Sequence, residues 1–215
     1  MAEDVKPRRH YDSTGRREQA RRSRWTVLET ARRMFLEGGY AATTVGAIAT
    51  QAGVSVETVY KAFGNKPGLL KAVFDVAVVG DDKPVPMLER DLVRRIENEP
   101  DPRQKLLMYG AHLTQSAPRS VPVQLLIRAA AASDPGVAEV WDEMAEERLI
   151  GMTQFARHLH EGGHLRAGVS VEEARDILWT YNSAELFDLL VLQRDWPPEK
   201  YGRWIAEALI GALLP

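Results

Sequence analysis

The alternation of apolar and polar positions reads as helix after helix. From Trp25, Leu28, Ala31 and Phe35 recur at spacings of three and four while Glu29, Arg32 and Arg33 take the other face, which predicts an amphipathic helix. Gly38-Gly39 stops it, with a glycine ready for a left-handed cap. Thr43 and Thr44 then offer an N-cap to a short helix carrying Val45, Ile48 and Ala49, because a threonine oxygen can accept from an unpaired first-turn N–H. Gly53 breaks that helix, Ser55 can cap the next, and Val59 with Phe63 gives it an inward face. Gly64-Asn65 ends this third helix, and Pro67 suits the first turn of a fourth running to about Val79.

A break rich in Asp, Pro and Gly, residues 80–86, is the best candidate for a domain boundary. Beyond it the helical pattern resumes near 87–98, 102–116, 121–132, 136–161, 171–194 and 198–213, with Pro100, Pro118, Asp134-Pro135-Gly136, Gly162-Gly163 and Pro197-Pro198 as punctuation. Runs of alternating β-branched residues and internal repeats are lacking, so the expected fold class is all-α. Residues 1–20 have no apolar period and read as a mobile basic arm, 21–80 as an N-terminal helix-turn-helix domain, and 81–215 as a C-terminal domain for effector binding and dimerisation.

Charge sharpens this division. The chain of 215 residues has a formal net charge of −2, but residues 1–71 hold 13 Lys+Arg against 7 Asp+Glu, and the remainder 15 against 23. A head of +6 on a body of −8 is the distribution of a polyanion-binding module joined to something else, or of a basic tail that merely solubilises. The doublets Arg8-Arg9, Arg16-Arg17 and Arg21-Arg22 precede no apolar run, so an export signal is not expected, and no stretch approaches the roughly 18–20 apolar residues of a membrane span. A cytoplasmic location is the expectation. With no cysteine, disulfides, thiolate metal sites and thiol nucleophiles drop out together.

Residues 45–63 satisfy the steric demands of a helix-turn-helix. Ala49 supplies a small residue where the helices cross, Gly53 permits positive φ in the turn, and Val54, Val59 and Ala62 fall where the second helix packs back. The run from Phe35 to Leu70, with its Gly39-Tyr40, paired Thr43-Thr44, turn glycine and Tyr60-x-x-Phe63-x-x-Lys66, resembles the N-terminal domain of TetR-family transcriptional regulators. The resemblance covers about residues 24–71. It implies a homodimer that binds a palindromic operator, most often as a repressor, with a C-terminal domain that takes a small-molecule effector and then releases DNA.

In such a unit the second helix lies in the major groove. Its outward residues, Val56, Glu57, Thr58, Tyr60 and Lys61 beside the cap Ser55, are the candidate DNA-binding set. Glu57 suits a cytosine amino group or is a solvated charge, Val56 a thymine methyl, and Lys61 a guanine or a phosphate. Thr44, Tyr60 and Lys66 are candidate phosphate contacts, Lys66 together with the N-terminus of the fourth helix. The arm arginines either follow the minor groove or add non-specific attraction.

For the effector, Met108, His112, Trp141, Met144, Phe155, Trp179, Asn182 and Glu185 are candidates, each otherwise simply core; Glu185 with Asp188 either favours a lipophilic cation or crosses the dimer interface to arginines. The segment 171–194 is apolar on nearly every face and calls for cover on two sides, so dimerisation is expected through the helices near 136–161 and 171–194. His158 and His160 point about 200° apart on a helix, and Gly162-Gly163 intervenes before His164, so no metal site is expected. Hydrolase, phosphate-loop and zinc-protease motifs are missing, and neither an enzyme nor a cofactor is expected. The competing reading is an all-α ligand carrier with a basic interaction segment.

Overall fold

The computed structural model describes residues 13–215, and every regular element among them is helical. Helix α1 spans Ser13–Gly38, α2 Val45–Ala52, α3 Val56–Phe63 and α4 Lys66–Val79. The body follows with α5 Asp91–Asn98, α6 Pro102–Ala131, α7 Pro135–Glu161, α8 Val171–Tyr181, the single turn α9 Ala184–Phe187, and α10 Pro198–Leu213. The all-α expectation holds.

Four boundaries differ from the sequence reading. Helix α1 begins at Ser13, so residues 13–20 belong to it and not to the arm; Glu18, Gln19, Ala20 and the arginines are good helix formers even without an apolar face. Residues 1–12 of the expected arm, with Arg8-Arg9, lie outside the described residues. Helix α6 runs through Pro118 and Pro122, where two helices were expected. A proline inside a helix costs about 3 kcal/mol, and here Ala117, Val121, Val123 and Ile127 are buried around the two prolines and offset it. Helix α8 stops at Asn182, and Ser183 is extended (φ −87°, ψ 146°) before α9 and a π-helical turn at Asp188–Leu192. The expected single helix over 171–194 is therefore three pieces.

The fourth difference concerns the core. One apolar cluster joins Leu28, Phe35, Ile48, Val59 and Leu70 of the head to Val123 and Ile127 of α6 and Val137, Val140 and Met144 of α7. This core crosses the boundary expected at 80/81. A second cluster, with Leu106, Tyr109, Leu159, Leu178, Phe187 and Leu209, fills the body. There α6 and α10 cross so closely that a Cβ on Gly110 would collide with the Gly202 carbonyl. Apolar residues nevertheless stay exposed on α7 (Leu149, Ile150), α8 (Trp179) and the π-helical turn (Leu189, Leu192).

Candidate nucleic-acid interface and interior cavity

Local capping builds the helix-turn-helix. The Thr44 hydroxyl accepts from the Ala47 N–H at 3.1 Å, the Ser55 hydroxyl from the Thr58 N–H at 3.1 Å, and the Asn65 side chain from the Gly68 N–H at 2.7 Å. Each satisfies a first-turn donor that the helix itself cannot. Gly53 closes α2 with φ 68° and ψ 33°, and the Val54 N–H reaches back to the Ala49 carbonyl at 3.0 Å. The paired threonines have divided roles. Thr43 is buried and donates to the Gly39 and Met34 carbonyls, locking the turn between α1 and α2, while Thr44 caps at the surface.

With α3 fixed this way, Val59 is buried and Ser55, Val56, Glu57, Thr58, Tyr60 and Lys61 are all exposed, as expected from their spacing. Val56 and Tyr60 keep 40% and 49% of their surface in solvent. Apolar surface on the outer face of a cationic head gains nothing from water, and a groove offering methyl groups and sugar edges would cover it. Ala62, expected to pack inward, is exposed instead. Its carbonyl accepts from Arg24 Nη1 at 3.2 Å, and the same guanidinium lies 4.4 Å from the centre of the Phe63 ring and pairs with Asp82 at 2.9 Å. Arg24 thus ties α1 and α3 to the segment after α4, a role that periodicity could not disclose because all three partners are distant in sequence.

Lys66 begins α4 with its ammonium 4.0 Å from the centre of the Tyr40 ring. The Tyr40 hydroxyl donates to Asp134 at 3.1 Å, and Asp134 in turn caps α7 through the Gly136 N–H. Burial pulls the Lys66 ammonium below its ordinary value, and the Asp134 carboxylate partly opposes this. Burial, then the hydrogen bond to Asp134, pushes the Tyr40 phenol above its usual range. Gly136 packs on Pro67, where an added Cβ would come within 3.0 Å of Pro67 Cγ. The start of α4 is therefore clamped to the start of α7.

Between α4, the segment 81–90, α6 and α7 lies a cavity of about 1120 Å³ that reaches α9 and Tyr201. Of the sequence candidates, His112, Met144 and Asn182 line it. The other five do not. Met108 and Phe155 pack in the body core, the latter edge-on to Tyr109 at 5.5 Å, and Trp141 packs against the head core. Trp179 is partly exposed beneath the Arg148 guanidinium, 4.2 Å from its ring centre. Glu185 pairs with Arg128 at the surface and Asp188 accepts from Gln193, so neither supports the expected preference for a cation.

Tyr109, Ser116, Ser120, Arg148, Met152 and Tyr201 line the cavity without having been singled out. Burial, helped by the Arg119 guanidinium, holds His112 down to about 4, so its imidazole is neutral at pH 7. Burial also raises the Tyr109 and Tyr201 phenols above their usual range. Lys71, at the cavity wall, pairs with Asp75 at 2.8 Å and Glu147 at 3.1 Å, a second link from α4 to α7. Elsewhere, His158 Nε2 lies 2.9 Å from Lys105 Nζ, which also donates to the Ile96 and Glu97 carbonyls at the end of α5. Among the described residues no helix is long and apolar enough to cross a membrane.

Residues 27–73 match the family model described as bacterial regulatory proteins, tetR family. No curated protein sequence matches the chain at a significant level. Among solved structures, a transcriptional regulator from Saccharomonospora viridis in complex with choline is similar over 90% of this chain and 98% of its own, at 16% identity and a TM-score of 0.64. The transcriptional regulator FadR from Bacillus subtilis in complex with stearoyl-CoA is similar over 86% and 97%, at 20% identity and a TM-score of 0.67. SmeT, the repressor of the Stenotrophomonas maltophilia multidrug efflux pump SmeDEF, is similar over 89% and 90%, at 17% identity and a TM-score of 0.62. At such identities the likeness is one of fold, and it extends over head and body alike.

Proposed function

We infer that this chain, a TetR-family transcriptional regulator by its N-terminal domain and by the fold of the whole, works as a homodimer that represses from a palindromic operator and leaves it when a small lipophilic effector enters the body. It performs no turnover. The observation that carries the reading is the outer face of α3, where a capped, rigidly seated helix presents Ser55, Val56, Glu57, Thr58, Tyr60 and Lys61 to solvent on a head of net charge +6. Phosphates position such a head through Thr44, Tyr60 and Lys66, and base edges are read by Val56, Glu57 and Lys61.

Two copies are needed because half-sites lie about 34–36 Å apart on one face of the duplex. Exposed Leu149, Ile150, Trp179, Leu189 and Leu192, all on α7 and the 171–194 segment, are the surface available for pairing. The cavity supplies the effector site: a concave, largely apolar wall with a small number of polar and charged groups is the usual makeup of a small-molecule pocket. Its position supplies the coupling. The cavity is walled by α4 and α7, the two helices joined at Pro67–Gly136 and Lys71–Glu147, so an occupant that shifts one against the other re-spaces the heads. Relatives of this fold in complex with choline and with stearoyl-CoA support a body that takes small molecules.

The test joins sedimentation equilibrium to mobility shifts on the DNA flanking the gene. A dimer at micromolar concentration that shifts one flanking fragment in the presence of excess random DNA is expected. A monomer that binds all fragments equally would refute the reading.

A further inference from the structure

Of the cations in the cavity wall, Arg21 and Lys83 are exposed to solvent, and all but one of the less exposed ones pair with a carboxylate. Arg24 pairs with Asp82 at 2.9 Å, Arg90 with Asp81 at 3.0 Å, and Lys71 with Asp75 and Glu147 at 2.8 and 3.1 Å. Arg148 differs. Its guanidinium stacks on Trp179 at 4.2 Å and donates once, from Nη1 to the Asn182 carbonyl at 3.2 Å. Its Nε is buried with no partner among the described residues. Arg90 also has a buried Nε without a partner, but its Nη1 is held by a carboxylate. Glu185, whose field reaches Arg148, is itself engaged by Arg128.

A guanidinium cannot shed its charge, and it carries five donors in a fixed fork. Half-buried, with one neutral acceptor and an aromatic face, it is held rigid yet short of acceptors, and removing such a cation from water costs free energy unless an anion answers it. The stack and the carbonyl at the α8–α9 break fix its orientation in advance, which lowers the entropic cost of meeting a ligand. The other interior groups, His112, Tyr109 and Tyr201, are uncharged at pH 7 and offer no competing anion. Asp75 and Glu147 do line the wall, but both share the Lys71 ammonium and are about half exposed.

Resting on the cavity being the effector site, we propose that the effector is an anionic amphiphile, with a carboxylate head that meets Arg148 and an apolar remainder lying along Leu113, Ala117 and Met152. Planar, bidentate pairing is what a guanidinium does best with a carboxylate, and such charge-assisted bonds are about twice as strong as neutral ones.

Three probes with the same tail separate the head from the cavity: dodecanoate, dodecanol and dodecyltrimethylammonium, titrated calorimetrically below their micelle concentrations into the full-length protein. The proposal expects dodecanoate to bind about tenfold or more tightly than either of the others. That preference should vanish in Arg148→Gln and persist, weakened, in Arg148→Lys, with circular dichroism verifying that both variants fold. If all three probes bind alike, if the ammonium binds best, or if the preference survives in Arg148→Gln, the anionic head is overturned while the cavity stands as an effector site. If none of the probes binds, the effector site itself is overturned and the head group with it.

Discussion

Gly53 is the joint between α2 and α3, the two helices of the helix-turn-helix, and its substitution gives a ranked prediction. Its φ of 68° and ψ of 33° are left-handed, and nothing lies within 4 Å of where a Cβ would sit. Steric clash therefore contributes nothing, and only backbone strain counts. An L-residue held in this region costs about 1–2 kcal/mol, while alanine recovers about 0.4–1 kcal/mol by restricting the unfolded chain. The net for Gly53→Ala is a loss of about 0.5–1 kcal/mol, a fall in Tm of roughly 1–4 °C for a chain of this size. Gly53→Asn should lose less, because asparagine tolerates the left-handed region, and Gly53→Val more, because a β-branched side chain does not. Thermal unfolding followed by circular dichroism gives the order Gly, Asn, Ala, Val. DNA affinity should fall by no more than about fivefold for alanine, the equivalent of about 1 kcal/mol. An alanine variant with a raised Tm, or a valine variant equal to it, would refute the reasoning that strain alone fixes this turn.

Three other outcomes are expected. Lys66→Ala should weaken operator and random DNA together and flatten the salt dependence by about one unit of log–log slope, as for a lost phosphate contact; an unchanged slope in an anisotropy titration counts against that contact. His112, buried and held at about 4, takes up its proton more readily in the unfolded chain, near 6.5. The fold therefore loses stability as pH falls from 6.5 to 4, and in urea titrations His112→Gln should have a flatter acid limb than the parent; parallel limbs would show that His112 is not the source. Leu189, half exposed on the π-helical turn, should lie in the dimer interface, so Leu189→Asp should raise the dimer dissociation constant by at least about tenfold in sedimentation while leaving the helical signal intact. A dimer of unaltered strength would move the interface elsewhere.

The head was legible in the sequence because its determinants are local. Thr44, Ser55 and Asn65 cap the helices that follow them, and Gly53 takes the conformation that few other residues accept. The outward set on α3 followed from a spacing of three and four. The body was harder to read wherever tertiary packing decides. Pro118 read as a helix break, yet α6 continues through it and through Pro122, with buried residues of both cores around them. Asn182-Ser183 sits in a run so apolar that no periodic signal marked the break, and Glu185 looked embedded only because its neighbours are. The cavity was found in part: His112, Met144 and Asn182 were named, but Arg148 was passed over because an arginine among charged neighbours on a long helix reads as solvated surface. Nor does any local pattern reveal that α6 and α7 extend the head core, since that depends on contacts between residues about a hundred positions apart.

In the proposed function, α3 reads base pairs on behalf of a symmetric dimer. Selection of bound sequences from random duplex DNA, run with the full-length protein and with Glu57→Gln and Lys61→Gln, tests it most directly. An enriched palindrome with half-sites one helical turn apart, or a multiple of it, is expected, with base preferences that change in the two variants at the same position of both half-sites. A pool without an enriched motif, or one palindrome common to all three proteins, would contradict it.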